Sequence, residues 1–218
     1  MMRTVIFDLD GTLLDTLDDI TNAVNYTMQK YALPTRTREE VRSFVGNGAK
    51  KLVQRASGSE DKDGKLLTAF QAYYKEYAAE CTCPYDGIKD LLEELQKRNI
   101  CVGVLSNKPD IPTKALIKGY FGDLVKMAQG ADPANGVLEK PCPNGLFALM
   151  ARLGAEKEKT VFVGDSEVDI QTAKNAGIPC ISVTWGFKDR AFLQAHGANV
   201  YAQTPMDIIK LLEEEIWH

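Results

Sequence analysis

Apolar positions along the chain follow two rhythms. Val5-Ile6-Phe7 is a short unbroken apolar run, the pattern of a parallel strand buried on both faces. From Leu17 the spacing becomes helical: Leu17, Ile20, Val24, Met28 and Tyr31 form one stripe that stops at Leu33-Pro34. Thr37 with Glu40 three residues later predicts a capped helix start, carrying Val41, Phe44 and Val45 and broken at Gly46-Asn47-Gly48. A short helix through Leu52 and Val53 follows, then a polar loop from Ser57 to Lys65. Leu66, Leu67, Phe70, Tyr73, Tyr74 and Tyr77 make a further stripe, whose aromatic residues are read as helix–helix core rather than as a ligand site. No strand is predicted between Thr16 and about Cys81.

Beyond Cys83-Pro84 the two rhythms alternate. A helix starting near Asp86 carries Ile88, Leu91, Leu92 and Leu95 and ends at Lys97-Arg98-Asn99; a buried strand runs from Cys101 to Leu105; a helix covers Thr113 to Tyr120. Leu124 to Met127 is read as a weaker strand and Asn144 to Leu153 as a helix closing at Gly154. Thr160 to Val163 is a strand, Val168 to Ala176 a helix stopped by Gly177, and Pro179 to Val183 a strand, with helical patterns again at Ala191 and from Met206 to Ile216. Strands alternating with helices predict an α/β fold built on a doubly wound parallel sheet with right-handed crossovers. The expected division is a Rossmann-like core of residues 1–15 and 82–218, with a small all-helical unit, residues 16–81, inserted after the first strand.

Composition narrows the function classes. At 218 residues, 44% hydrophobic and 26% charged, the chain has ample material for a core. A net charge of -4 and no clustered lysines or arginines argue against nucleic acid as a partner, and no apolar run is long enough to span a membrane. The N-terminus lacks a signal-peptide pattern, so a cytoplasmic location is expected. An odd total of five cysteines argues against a full disulfide framework and for free thiols; Cys101 and Cys180 read as core residues, and Cys81 and Cys83 lack a second pair or nearby histidine to complete a metal site.

Polar residues of chemical interest gather after predicted strands. Asp8 and Asp10 follow the first, Ser106-Asn107-Lys108 the second, and Gly164-Asp165-Ser166 with Asp169 the strand ending at Val163. In open α/β sheets ligands bind beyond the carboxyl ends of the strands, so these pieces converge on one rim. Two carboxylates held about 4 Å apart repel by roughly 4 kcal/mol at an effective dielectric of 20, and a divalent oxygen-seeking metal is the simplest counter-charge. Lys140, in a loop before a helix, is a second candidate to balance the surplus of acid. Rival chemistries lack their residues: His196 and His218 do not follow strands, no cysteine is followed six residues later by arginine, and Gly46-Asn47-Gly48-Ala49-Lys50-Lys51 fits neither the P-loop nor the dinucleotide fingerprint. What remains is carboxylate chemistry with a hard metal.

Asp8-Leu9-Asp10-Gly11-Thr12, Ser106-Asn107, Lys140 and Gly164-Asp165-Ser166-Glu167-Val168-Asp169 resemble, in order, the four motifs of the haloacid dehalogenase superfamily. The Val45-Gly46-Asn47-Gly48 loop adds a resemblance to its phosphoglycolate phosphatase-like members. The resemblance implies a phosphatase acting on a small phosphate ester, with Asp8 as nucleophile and Asp10 as acid and base. Mg²⁺ would be held by Asp8, the Asp10 carbonyl, Asp165 and, directly or through water, Asp169; alternatively Asp169 orients Lys140. Ser106, Asn107 and Lys140 would hold the phosphoryl group with Asp8. For the cap loop, Gly46, Asn47, Gly48 and Lys50 are the candidates to read a substrate carboxylate, with phosphoglycolate the best fit. A monomer and a homodimer are both compatible with the sequence. A sugar-phosphate mutase of the same architecture and a non-enzymatic receiver-type module that holds its aspartyl-phosphate stand as the alternatives. A dehalogenase is disfavoured by Asp10, and a phosphonate hydrolase would need Lys50 or Lys51 as its Schiff-base lysine.

Overall fold

The computed structural model describes residues 3–217, so His218 lies outside the described residues. Strand β1 (Thr4–Phe7) runs through the middle of a six-stranded sheet. A two-residue strand β2 (Leu14–Asp15) follows, then four helices: α1 (Leu17–Lys30), α2 (Arg38–Phe44), α3 (Gly48–Ser57) and α4 (Lys65–Tyr77). The chain returns through β3 (Cys83–Pro84) and continues as α5 (Ile88–Lys97), β4 (Cys101–Pro109), α6 (Asp110–Phe121), β5 (Met127–Ala131), α7 (Asn144–Leu153), β6 (Thr160–Gly164), α8 (Glu167–Ala176), β7 (Cys180–Val183), α9 (Arg190–Ala195), β8 (Tyr201–Ala202) and α10 (Asp207–Leu211). The sheet order is β5-β4-β1-β6-β7-β8 and every neighbouring pair is parallel.

Alternation along the strands gives the sheet two buried faces. Val5, Phe7, Val102, Val104, Val161 and Val163 pack with leucines of α5 and isoleucines of α10 on one face. Ile6, Leu105 and Phe162 pack with Leu146 and Leu149 of α7 and Ala173 and Ala176 of α8 on the other. The sheet is therefore doubly wound, as its near-continuous apolar strands predict. Phe162 is fully buried, and its truncation to alanine should cost about 3–5 kcal/mol.

The four helices α1 to α4 share a second hydrophobic cluster, built on Ile20, Val24, Met28, Val41, Leu52 and Phe70 and joined by Phe187 of the core. Thr37 caps α2 as its spacing with Glu40 predicts: the Glu40 N–H donates to the Thr37 hydroxyl at 3.2 Å, and the Thr37 N–H to the Glu40 carboxylate at 2.8 Å. Asp19, buried in α1, accepts from the Thr82 N–H (2.8 Å) and hydroxyl (2.6 Å), tying the helical unit to the chain that leaves it.

Five elements differ from the sequence reading. Leu14–Asp15 pairs antiparallel with Cys83–Pro84, a two-stranded junction where the helical unit begins and ends, too short to give a period. The weak strand expected at Leu124 to Met127 lies instead at Met127–Ala131, after a 3₁₀ turn over Gly122–Leu124. Its polar Gln129 hid it; that amide is used by Asp110 and Arg152, while Gly130 backs directly onto the start of α6, where a Cβ would strike backbone. The edge strand β8 was not anticipated, and β4 continues past Leu105 to Pro109. No helix among the described residues is long and apolar enough to cross a membrane, and the cysteines are all free.

Candidate active site

The site forms where β1, β4 and β6 end side by side. After β1 the Asp8 N–H donates to the Val163 carbonyl of β6 at 2.8 Å, which keeps the chain extended for one more residue. It then folds into a single tight turn, the Leu9 carbonyl accepting from the N–H groups of Leu13 and Leu14 at 3.0 Å each. Gly11 sits at φ +88°, and a side chain there would collide with the Asp165 carboxylate and the Phe187 ring. Gly186 is as tightly placed, against the Gly11 carbonyl and Asp165. Trp185 donates to the Thr12 carbonyl at 3.1 Å, locking the turn to the 184–188 loop.

Asp8, Asp165 and Asp169 are all buried, with a carboxylate oxygen of each within 4.8 Å of the others. Lys140 joins two of them, 2.8 Å from Asp8 Oδ1 and 2.6 Å from Asp169 Oδ1. Asp169 Oδ2 accepts from the Ser166 hydroxyl (2.6 Å) and N–H (3.1 Å), Ser166 being the N-cap of α8 and Asp169 the third residue of the helix. Asp169 thus contacts Lys140 directly and also belongs to the acidic cluster, so the geometry is compatible with both roles left open for it. Asp165 Oδ2 takes the Phe187 N–H at 2.6 Å. Burial pushes the Asp8 carboxyl up to about 7 despite the opposing pull of Lys140, and burial with Asp169 nearby pushes Asp165 well above the usual carboxylate range. Burial works against the Lys140 ammonium, but Asp169 and Asp8 outweigh it and hold the group above the ordinary lysine range.

A cluster of oxygen-only donors, short of positive charge and closed around by two glycines with no room for a Cβ, fits a hard divalent cation such as Mg²⁺. Asp10 is the exception among the predicted ligands. Its side chain stands outside the acidic cluster and faces Lys108, whose ammonium is 3.1 Å from Asp10 Oδ1, so only its carbonyl suits the role expected of it.

Ser106 and Asn107 come from the extension of β4. The Ser106 hydroxyl accepts the Lys108 N–H at 3.1 Å. Asn107 brackets the Lys140 backbone, its Oδ1 accepting the Lys140 N–H at 2.6 Å and its Nδ2 donating to the Lys140 carbonyl at 3.1 Å. Asn107 therefore fixes the loop that delivers Lys140.

Above these residues lies a cavity of about 860 Å³ between the sheet ends and the helical unit. Asp8, Asp10, Ser106, Asn107, Lys108, Lys140 and Asp165 line its floor, and Gly46, Gly48, Phe70 and Tyr74 line its roof. The cap-loop expectation needs correcting in one respect: Lys50 is exposed on α3 and is not among the lining residues. Asn47 is engaged elsewhere, donating to Glu167 at 3.4 Å and accepting from Arg55 at 2.5 Å. A Cβ on Gly48 would press on the Glu139 carboxylate, and Gly46 faces Glu167, so two acids of the core flank this loop.

Five residues that shape the site were given no role in the sequence reading. Lys108 reads as the tail of Ser106-Asn107, and Tyr74 as one more member of a helical stripe. The Phe187 N–H is backbone, which no residue pattern announces. Lys188, buried at the cavity wall, donates to the Ser43 carbonyl of α2 at 3.0 Å, and burial lowers its ammonium below the ordinary lysine range. Arg42 of α2 grips the same loop, donating to the Phe187 and Gly186 carbonyls at 2.9 Å each.

Comparison with known proteins agrees with this geometry. The family model for haloacid dehalogenase-like hydrolases matches residues 5–183. A phosphoglycolate phosphatase of Pseudomonas putida is 34% identical over 216 residues, covering 95% of this chain and 76% of the relative. Another from Rhodospirillum rubrum is 36% identical over 198 residues, covering 86% and 81%. The crystal structure of a candidate phosphoglycolate phosphatase from Lactobacillus delbrueckii subsp. bulgaricus superposes with a TM-score of 0.90 at 32% identity, covering 96% of this chain and 98% of that one. The chain belongs to the haloacid dehalogenase-like hydrolases, and its relatives mark it as a phosphatase.

Proposed function

We propose that the chain is a Mg²⁺-dependent phosphomonoesterase working through an aspartyl-phosphate on Asp8, with 2-phosphoglycolate as substrate and residues 16–81 acting as a cap over a core of residues 1–15 and 82–218. The observation that carries this reading is the pairing of buried Asp8 with Lys140 at the mouth of β1, with Asp165 and Asp169 closing the cluster. The relatives' shared activity supports the substrate, and the free thiols accord with a reducing compartment such as the cytoplasm.

In this reading Asp8 attacks phosphorus and the ester oxygen leaves, taking a proton from Asp10. Water then attacks the aspartyl-phosphate, the Asp8–phosphorus bond breaks, and Asp10 accepts the water's proton. Lys140 and the Ser106 hydroxyl hold phosphoryl oxygens, while Asn107 keeps Lys140 in place. The chemistry supplied by a Mg²⁺ held by Asp8, the Asp10 carbonyl and Asp165 is neutralisation of the charge between nucleophile and phosphate. Arg42 and Lys188 draw the cap onto the 184–188 loop, excluding bulk water from a labile acyl phosphate. The glycolate carboxylate lies toward the N–H groups of Gly46 to Gly48, and Lys188 is a cation of the core in the same cavity lining.

The test is phosphate release from a panel of small phosphate esters with and without Mg²⁺. Phosphoglycolate should give the highest kcat/KM, and EDTA should abolish it. A preferred substrate of another class would remove phosphoglycolate, and full turnover in stripped buffer would remove the metal. Return of phosphate to an isomeric product would point to the mutase.

A further inference from the structure

Asp10 has a partner from the core that is itself held by the helical unit. The Lys108 ammonium lies 3.1 Å from Asp10 Oδ1 and donates to the Tyr74 hydroxyl at 2.6 Å, with the nitrogen 4.4 Å from the centre of the same ring. Asp10 Oδ1 is buried and takes no well-aligned hydrogen bond, so this ammonium is what fixes it among the described residues. Each member is anchored from its own side. Lys108 is buried and its N–H is bound to Ser106, while Tyr74 stacks on Phe70 of α4 at 5.5 Å between centroids, and Phe70 belongs to the cluster of the helical unit. The three groups thus link α4 to the turn after β1 through one buried cation.

We propose that Lys108 and Tyr74 are positioning residues that orient Asp10 for proton acceptance, and that they do so only when the helical unit is closed on the core. The inference rests on the phosphatase reading above. Lys108 pins one oxygen of Asp10 and leaves the carboxyl's other oxygen for the proton of the attacking water. As that water bonds to phosphorus and the Asp8–phosphorus bond breaks, its proton passes to Asp10. When α4 lifts away, Lys108 loses the Tyr74 hydroxyl and its flexible stem is free to swing, so Asp10 loses its fixed orientation. An ammonium on four methylenes has several rotamers to choose among, and a second contact is what selects one. Hydrolysis of the intermediate is then confined to the closed, water-depleted state.

The test is rapid-quench kinetics with p-nitrophenyl phosphate and Mg²⁺, measuring acid-stable, alkali-labile protein phosphate and released nitrophenol. This ester's leaving group needs no proton, so its first step does not report on Asp10. Lys108→Met should slow dephosphorylation about 10²-fold while phosphorylation changes less than about threefold, so that phosphoprotein accumulates. Tyr74→Phe, which keeps the ring and its stacking, should do the same about tenfold, again through dephosphorylation. Tyr73→Phe, on the same helix but stacked on Tyr26, should leave both steps unchanged. Equal loss on both steps, or no change in Tyr74→Phe, would overturn the inference and leave a purely structural contact. A wild-type protein that forms no phosphoprotein and releases no phosphate would overturn the phosphatase reading itself. Should Lys108→Met fail to fold, Tyr74→Phe carries the test alone.

Discussion

The Lys140 ammonium lies 2.6 Å from Asp169 Oδ1, and both side chains are buried. Asp169 is in turn fixed by Ser166, so the lysine that faces Asp8 is held on a chain of contacts reaching into the first turn of α8. Removing one partner of a buried ion pair typically costs about 3–5 kcal/mol, because the other charge is stranded. Lys140→Met should therefore lower the melting temperature of the metal-free protein, and added Mg²⁺ should recover more stability in the variant than in the wild type. Differential scanning calorimetry with and without Mg²⁺ measures both.

The raised Asp8 carboxyl makes a pH prediction. Its folded value of about 7 exceeds the unfolded 3.8, so between these limits the folded state binds the extra proton. Stability of the metal-free protein is then greatest below about pH 4, as far as Asp8 is concerned, and falls as pH rises toward about 7. Asp165 adds in the same direction. Thermal melts should show the metal-free protein losing stability between pH 5 and pH 8. Mg²⁺ should reverse the trend, since its binding displaces those protons, and Mg²⁺ affinity should rise over the same range.

Arg42 joins the helical unit to the loop that also positions Asp165 through the Phe187 N–H. Hydrogen bonds from a charged group contribute about 1.5–3 kcal/mol each. Arg42→Ala is expected to raise KM about tenfold, equivalent to roughly 1.4 kcal/mol, by weakening closure. Steady-state kinetics on the preferred ester reads this directly; an unchanged KM would mean that closure does not depend on this grip.

Leaving-group recognition separates Lys188 from the phosphate cradle. Lys188→Met should raise KM for phosphoglycolate about tenfold and leave p-nitrophenyl phosphate within about twofold, a difference near 1 kcal/mol. Gly48→Val should act the same way, since its φ of +78° resists a side chain and a Cβ there presses on Glu139. Equal losses on both esters would place the carboxylate elsewhere in the cavity.

What could be read from the sequence, and what could not, follows from the kind of signal each residue leaves. Asp8, Ser106 and Asp165 were legible because each ends an unbroken apolar strand, where a polar residue has no reason to be unless the rim is used. Lys140 was legible only as a counter-charge, and its 2.6 Å contact with Asp169 joins residues 29 apart in the chain, which spacing alone does not reveal. Tyr74 stayed hidden because helical spacing explains it fully as core; nothing in a stripe tells which hydroxyl reaches across to another unit. Lys188 and Arg42 act by holding carbonyls 144 to 145 residues away in the chain, which no local pattern records. The β2–β3 junction and β8 span two residues each, below the length at which a period of two exists. Gly46 to Gly48 was read correctly as a break between helices, but the acids that flank it, Glu139 and Glu167, come from a distant loop and from the start of α8.

The central claim is that phosphate passes through a covalent bond to Asp8. Its most direct test is mass spectrometry of the N-terminal peptide after acid quench of Asp10→Asn protein incubated with Mg²⁺ and p-nitrophenyl phosphate, an ester whose leaving group needs no proton. The account predicts a phosphoryl group on Asp8 that is lost in mild alkali and is absent from the Asp8→Asn protein, which should be folded and inactive. Phosphorylation at another residue, or near wild-type turnover by purified Asp8→Asn, would contradict it.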